Sequence, residues 1–156
     1  HDRYSVGVPT LVHTAKALTE IGDVRVLVGG NHDIYDNADR LSLLSALPGV
    51  RAMLRSVTYR EPTGVAIRYV PYDRDIDLMG RQMAEPMPES VFKLLFTHAP
   101  FQHGQRGPWD YCGESKGVPL EAVRQYDLVM SGHFHRPHYI IPQGNGSPPT
   151  VYPIPV

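Results

Sequence analysis

The chain has 156 residues, 42% of them apolar and 20% charged, which suits one compact domain with a sizeable core. Its formal net charge is −1 with histidines neutral and it carries no dense Lys/Arg block, which argues against a protein that coats nucleic acid by charge alone. No apolar run approaches the roughly 18 residues of a membrane span, no signal-peptide pattern opens the chain, and the single Cys112 excludes an intramolecular disulfide and a cysteine-based zinc site. The expected setting is a reducing cytoplasm, with no membrane partner.

The pattern from Pro9 to Glu20 predicts a helix, with Pro9 in its first turn, Leu11, Val12, Ala15 and Leu18 on one face, and Gly22 as a stop. Val24 to Val28 is a short apolar run between Asp23 and Gly29-Gly30 and predicts a buried strand. A second helix is expected over Ala38–Ala46, ending before Pro48-Gly49. Val57–Tyr59 and Val65–Val70 are expected as strands joined by the turn Glu61-Pro62-Thr63-Gly64. A helix over Ile76–Ala84 and a strand over Val91–Phe96 follow, and then a long loop from Phe101 to about Val118. A short helix over Leu120–Val123, a strand over Leu128–Met130, and strands over Tyr139–Ile141 and Thr150–Tyr152 around Gly144-Asn145-Gly146 complete the order. This alternation is that of an α/β domain, without repeats or low-complexity tracts.

Three of the expected strands stop at polar loops that carry histidine: Gly29-Gly30-Asn31-His32-Asp33, Thr97-His98-Ala99-Pro100 and Ser131-Gly132-His133-Phe134-His135. Carboxyl ends of strands in an α/β sheet gather at one edge, where ligands bind, so these loops can converge in space. Neutral imidazoles and an amide oxygen suit Mn, Fe or Zn, whereas a hard-ion site wants mostly carboxylates. Gly29, Gly30 and Gly132 would let the backbone turn sharply and approach a bound phosphate. His32, oriented by the Asp33 carboxylate, would be placed to stabilise charge or donate a proton.

Each residue alone has a plainer explanation. His98 alone is a satisfied polar residue at a strand end, His133-Phe134-His135 an exposed turn, and Asn31 a routine turn residue. Their joint placement at three strand ends carries the signal. Elsewhere, Phe101, Trp109 and Tyr111 could stack on bases, but packing of their loop onto its own domain is the stronger expectation. His13, His103 and His138 are expected at the surface, and Cys112 has no assigned role.

In that order, Gly30-Asn31-His32-Asp33, His98 and Gly132-His133-Phe134-His135 resemble the last three motif blocks of the calcineurin-like metallophosphoesterase superfamily. The resemblance spans essentially the whole chain. It implies a layered β-sandwich of two mixed sheets flanked by helices. It further implies two divalent metals, Mn ahead of Fe or Zn: Asn31, His98 and His133 would bind one, and His135 the other. His32, backed by Asp33, would contact the scissile phosphate. The activity implied is metal-assisted hydrolysis of a phosphoester, both ions stabilising charge on the phosphoryl oxygens.

The family's Asp-x-His and Gly-Asp blocks, the second of which supplies a bridging carboxylate, are absent. Asp2-Arg3 resembles the pair that follows Gly-Asp, so residues 1–156 are expected to form a single, incomplete, N-terminally truncated domain that holds metals poorly as it stands. Gly117-Val118-Pro119-Leu120 and His133-Phe134-His135-Arg136-Pro137 are similar to SbcD-type DNA repair nucleases. That similarity implies an exonuclease or endonuclease subunit with DNA, a coiled-coil ATPase and optionally a second copy of the chain as partners. Two alternatives stay open: a metallophosphatase or cyclic-nucleotide phosphodiesterase of the same superfamily, and a non-catalytic scaffold.

Overall fold

Helix α1 spans Val8–Glu20, with Pro9 in the first turn where a missing N–H leaves no bond unmade. Ala15 and Leu18 are half-buried, while Val12 and His13 are exposed. The computed structural model describes residues 8–21, 25–31, 34–35, 38–39, 49–102, 117–133, 138–141 and 150–153.

Strand β1 (Arg25–Val28) runs parallel to β4 (Val50–Met53), from the pair Arg25–Val50 to the pair Val28–Met53. Between them, β2 (Ile34–Tyr35) and β3 (Ala38–Asp39) form an antiparallel ribbon. The expected helix over Ala38–Ala46 is therefore corrected at its start, where Ala38 and Asp39 are extended; the remainder of that stretch lies outside the described residues. Asp36-Asn37 between the two strands are turn-forming types, and pairing across them outweighs the helical preference of Ala38.

The largest sheet has the order β5-β6-β7-β8. Strands β5 (Val57–Arg60) and β6 (Val65–Val70) pair antiparallel across a tight turn, in which Gly64 N–H donates to the Glu61 carbonyl at 3.0 Å and Glu61 N–H to the Val65 carbonyl at 2.8 Å. Gly64 sits at φ +86°, a conformation that glycine adopts without strain. Strand β7 (Phe92–Thr97) is parallel to β6, and β8 (Leu128–Ser131) is parallel to β7, with Val70 opposite Thr97 and Thr97 opposite Ser131. Strands β9 (His138–Ile141) and β10 (Thr150–Pro153) form a separate antiparallel pair. The protein is thus α/β, with a mixed four-stranded sheet.

Helix α2 (Ile76–Ala84) starts at Asp75, whose carboxylate accepts from Leu78 N–H at 2.9 Å. It lies on one face of the sheet with the 3₁₀ turn Leu120–Val123. Between these layers sits the main core: Val70, Leu95, Met79, Met83, Phe101, Val118, Leu120, Val123 and Tyr126. Burial of Phe101 in this core favours the packing explanation for that ring; Trp109, Tyr111, His103 and Cys112 lie outside the described residues.

The loop after β7 is fastened to the segment before the 3₁₀ turn. Val118 N–H donates to the Pro100 carbonyl at 2.7 Å, and Gln102 N–H to the Val118 carbonyl at 3.0 Å. A Cβ at Gly117 would lie 2.6 Å from Gln102 N and from the Phe101 carbonyl carbon, both backbone atoms held by these bonds. Gly117→Ala is expected to cost about 3 kcal/mol by overpacking, read as a melting midpoint lower by roughly 6–12 °C. A midpoint within about 2 °C of the parent would contradict the close approach.

Candidate functional site

The site is built where the carboxyl end of β1, in the two-stranded sheet, meets those of β6, β7 and β8 in the four-stranded sheet. The end of β1 is tied to the exit of β6 by Tyr72 N–H, which donates to the Gly29 carbonyl at 2.8 Å. The ends of β7 and β8 stay in register past the ladder, because Gly132 N–H donates to the Thr97 carbonyl at 3.2 Å. Ser131 adds a clip: its hydroxyl oxygen lies 3.3 Å from Ala99 N and 3.2 Å from the Ala99 carbonyl. Loops distant in sequence are thereby fixed side by side.

Three of the residues expected at the site meet. His98 Nε2 donates to Asn31 Oδ1 at 2.9 Å, across a sequence separation of 67. The His98 and His133 rings stand edge to face with centroids 5.2 Å apart. His133 is buried and His98 and Asn31 are half-buried, so these polar groups are gathered in a partly desolvated recess rather than spread over the surface. His32, Asp33 and His135 lie outside the described residues.

Gly30 and Gly132 lie against the ring of His98. A Cβ at Gly30 would come within 2.9 Å of His98 Cε1, and one at Gly132 within 3.2 Å of His98 Nδ1. Both are therefore places where a bare backbone makes room for the imidazole and holds it in one orientation. Tyr72 completes the enclosure. Its ring is nearly parallel to that of His133 (8°, centroids 6.2 Å apart) and edge-on to that of His98 (6.4 Å). Tyr72 is not among the residues expected at the site. The available signal was Pro71-Tyr72 at the end of the apolar run Val65–Val70, an aromatic at a strand exit of the kind that bears the histidines.

Among the described residues, no group of three or more His, Cys, Asp or Glu is placed to hold a metal ion. The described share of the expected ligand set is two imidazoles and an amide, and it contains no carboxylate. The spacing of one pair is compatible with an ion. Two ligand atoms each about 2.1 Å from one metal at right angles lie about 3.0 Å apart, and Asn31 Oδ1 and His98 Nε2 are 2.9 Å apart. That spacing, which serves a hydrogen bond here, would also suit two neighbouring ligands of one ion, with the imidazole proton exchanged for it.

No family model, curated protein or solved structure matches this chain.

Proposed function

We propose that this protein is a metal-dependent phosphoesterase, and the observation that carries the proposal is the meeting of Asn31 and His98 at 2.9 Å beside the ring of His133. An amide oxygen and two imidazoles gathered at the carboxyl ends of parallel strands form a neutral, borderline-soft donor set. Such a set suits Mn, Fe or Zn better than it suits a structural ion pair. Asn31, His98 and His133 would hold one ion and His135 a second, with Mn as the expected metal. Bound there, divalent ions polarise a phosphoryl oxygen and activate water at neutral pH. The chain's own residues then bind and orient the ester, and His32, steadied by Asp33, neutralises developing charge or protonates the departing oxygen.

The finer architecture proposed is a sandwich of two mixed sheets between helices. Apolar rows on both faces of the four-stranded sheet support it. One face is covered by α2 and the 3₁₀ turn. On the other, register aligns Tyr59, Ile67, Tyr69, Leu94, Phe96, Leu128 and Met130; Tyr69 stacks on Phe96 at 5.4 Å, while Leu128 and Met130 remain about half exposed. A second sheet laid on that row would bury it.

The substrate proposed is a phosphodiester of DNA, with a coiled-coil ATPase and a second copy of the chain as partners in a cytoplasmic repair complex. These assignments rest on the likeness of the segments around Gly117–Leu120 and His133–Pro137 to repair nucleases. The test uses the full-length protein with Mn, assayed against DNA and against bis(4-nitrophenyl) phosphate. His32→Ala is expected to lower turnover about 10²–10⁴-fold, the range supplied by one positioned proton donor, while the bound metal stays near the parent level. Loss of the metal upon that change would overturn the role given to His32, and failure of the parent to cleave either ester would overturn the activity.

A further inference from the structure

Beside the histidines lies a cleft of about 440 Å³, bordered by Leu54 and Arg55 at the exit of β4, Pro71 and Tyr72 at the exit of β6, and Gln82 on α2. Tyr72 belongs to both places: it borders the cleft and its ring packs on those of His133 and His98. Tyr72 is the residue that the two places share, so a substrate whose phosphate sits at the histidines would pass Tyr72 to enter the cleft. The volume falls in the range of small-molecule sites, about 300–1,000 Å³, and is far larger than a phosphate requires.

The chemistry of the walls narrows the occupant. Leu54, Pro71 and Tyr72 supply apolar and aromatic surface suited to the face of a flat ring. Arg55 can donate and Gln82 can both donate and accept, which matches the mixed edge of a nucleobase. Asp73 and Glu85 also border the cleft, and their carboxylates disfavour a second anion there; Asp73 Oδ1 already accepts from Asp75 N–H at 2.8 Å, which leaves its other oxygen to accept from an exocyclic amine. A phosphate pocket would show the reverse balance. Neither Arg55 nor Gln82 is needed for the core: Arg55 is exposed, and Gln82 serves the fold through its backbone carbonyl, to which Arg68 donates at 3.0 Å.

We propose that this cleft is the subsite for the organic group of the phosphoester, and that this group is a nucleoside whose base lies between Tyr72 and Gln82. The proposal rests on the phosphoesterase reading for its substrate, but the binding of a nucleoside can be measured without catalysis. The first measurement is saturation-transfer NMR of deoxyadenosine with the full-length protein, which needs neither metal nor turnover. Binding is expected in the parent and is expected to weaken about 10-fold in the double variant Arg55→Ala/Gln82→Leu, the loss of roughly one well-placed polar contact. The second compares KM for 4-nitrophenyl deoxyadenosine 5′-phosphate with KM for bis(4-nitrophenyl) phosphate, two esters with the same leaving group. The ratio of the first KM to the second is expected to rise about 10-fold in the double variant. Absence of deoxyadenosine binding by the parent, or a KM ratio that moves less than about twofold while both esters are cleaved, overturns the subsite. Binding of deoxyadenosine that weakens in the variant, without cleavage of either ester, upholds the subsite and overturns the phosphoesterase activity instead.

Discussion

Arg68→Met is expected to destabilise the protein by about 4 kcal/mol, which corresponds to a melting midpoint lower by roughly 8–16 °C. Arg68 lies on β6 and is only 4% exposed, yet no carboxylate among the described residues is bonded to it. Its guanidinium instead caps the end of α2. Nη1 donates to the carbonyls of Gln82 at 3.0 Å and Glu85 at 2.6 Å, Nη2 donates to the Pro86 carbonyl at 3.1 Å, and Nε donates to the Thr58 hydroxyl at 2.8 Å. The last carbonyls of a helix have no partners within it and carry its partial negative charge, so a cation there answers both needs. Methionine fills much of the volume but leaves the Gln82 and Pro86 carbonyls without this donor, while the Glu85 carbonyl keeps Gln125 Nε2 at 2.7 Å. Lysine keeps the charge but cannot reproduce a planar fork, so Arg68→Lys should recover part of the loss and no more. Equal midpoints for parent and Arg68→Met, read by thermal denaturation, would remove the guanidinium from any capping role.

The same network has a pH signature. Tyr126 donates its hydroxyl proton to the Met83 carbonyl at 2.8 Å, and burial raises its pKa above the ordinary 10.0, against the opposing pull of Arg68. Burial likewise raises Tyr69. A tyrosine that holds its proton more tightly in the folded state favours folding fully below pH about 10, and that contribution fades as pH climbs through the raised value. Stability should therefore fall on the alkaline side of pH 10, where the unfolded chain gains from ionising.

How much of this was legible beforehand depends on whether an element is specified locally. Ile76–Ala84 carries its own cap in Asp75 and its own apolar face in Met79 and Met83, and the expected helix matches the observed one residue for residue. Val65–Val70 is a mainly apolar, β-rich run interrupted only by Arg68 and ended by Pro71, and it too appears where expected. Val50–Met53 was missed because Val-Arg-Ala-Met has no alternation; what makes it a strand is its parallel partner β1, 25 positions away in register. The meeting of Asn31, His98 and His133 was legible because each follows the carboxyl end of a parallel strand, Asn31 that of β1 in the two-stranded sheet and His98 and His133 those of β7 and β8 in the four-stranded one. Tyr72 and Arg68 were not. An aromatic at a strand exit and an arginine within a strand have many uses, and theirs are defined by neighbours up to 61 and 58 positions away, His133 and Tyr126.

His98→Ala is expected to weaken Mn binding by the full-length protein about 100-fold or more, since changes in groups that merely support a ligand already cost 10–100-fold. The argument begins with confinement. His98 stands between two glycines whose missing Cβ atoms leave room for it, under the edge of Tyr72 and against the ring of His133, so the imidazole reaches an ion without first losing rotamer freedom. Removing it takes away one donor atom and also the partner that holds Asn31 Oδ1 in place. Two of the three proposed ligands that the structure describes are thereby disturbed by one change. Stability should respond less, because the His98 ring is half-buried and its hydrogen bond to Asn31 is a neutral one, a contact that contributes on the order of 1 kcal/mol. A large loss of metal with a small loss of stability is what separates a ligand from a packing residue. Isothermal titration with Mn, paired with a thermal melt of the metal-free protein, reads both. Unchanged affinity would sink the metal assignment, and a melt that collapses along with it would make His98 a structural residue.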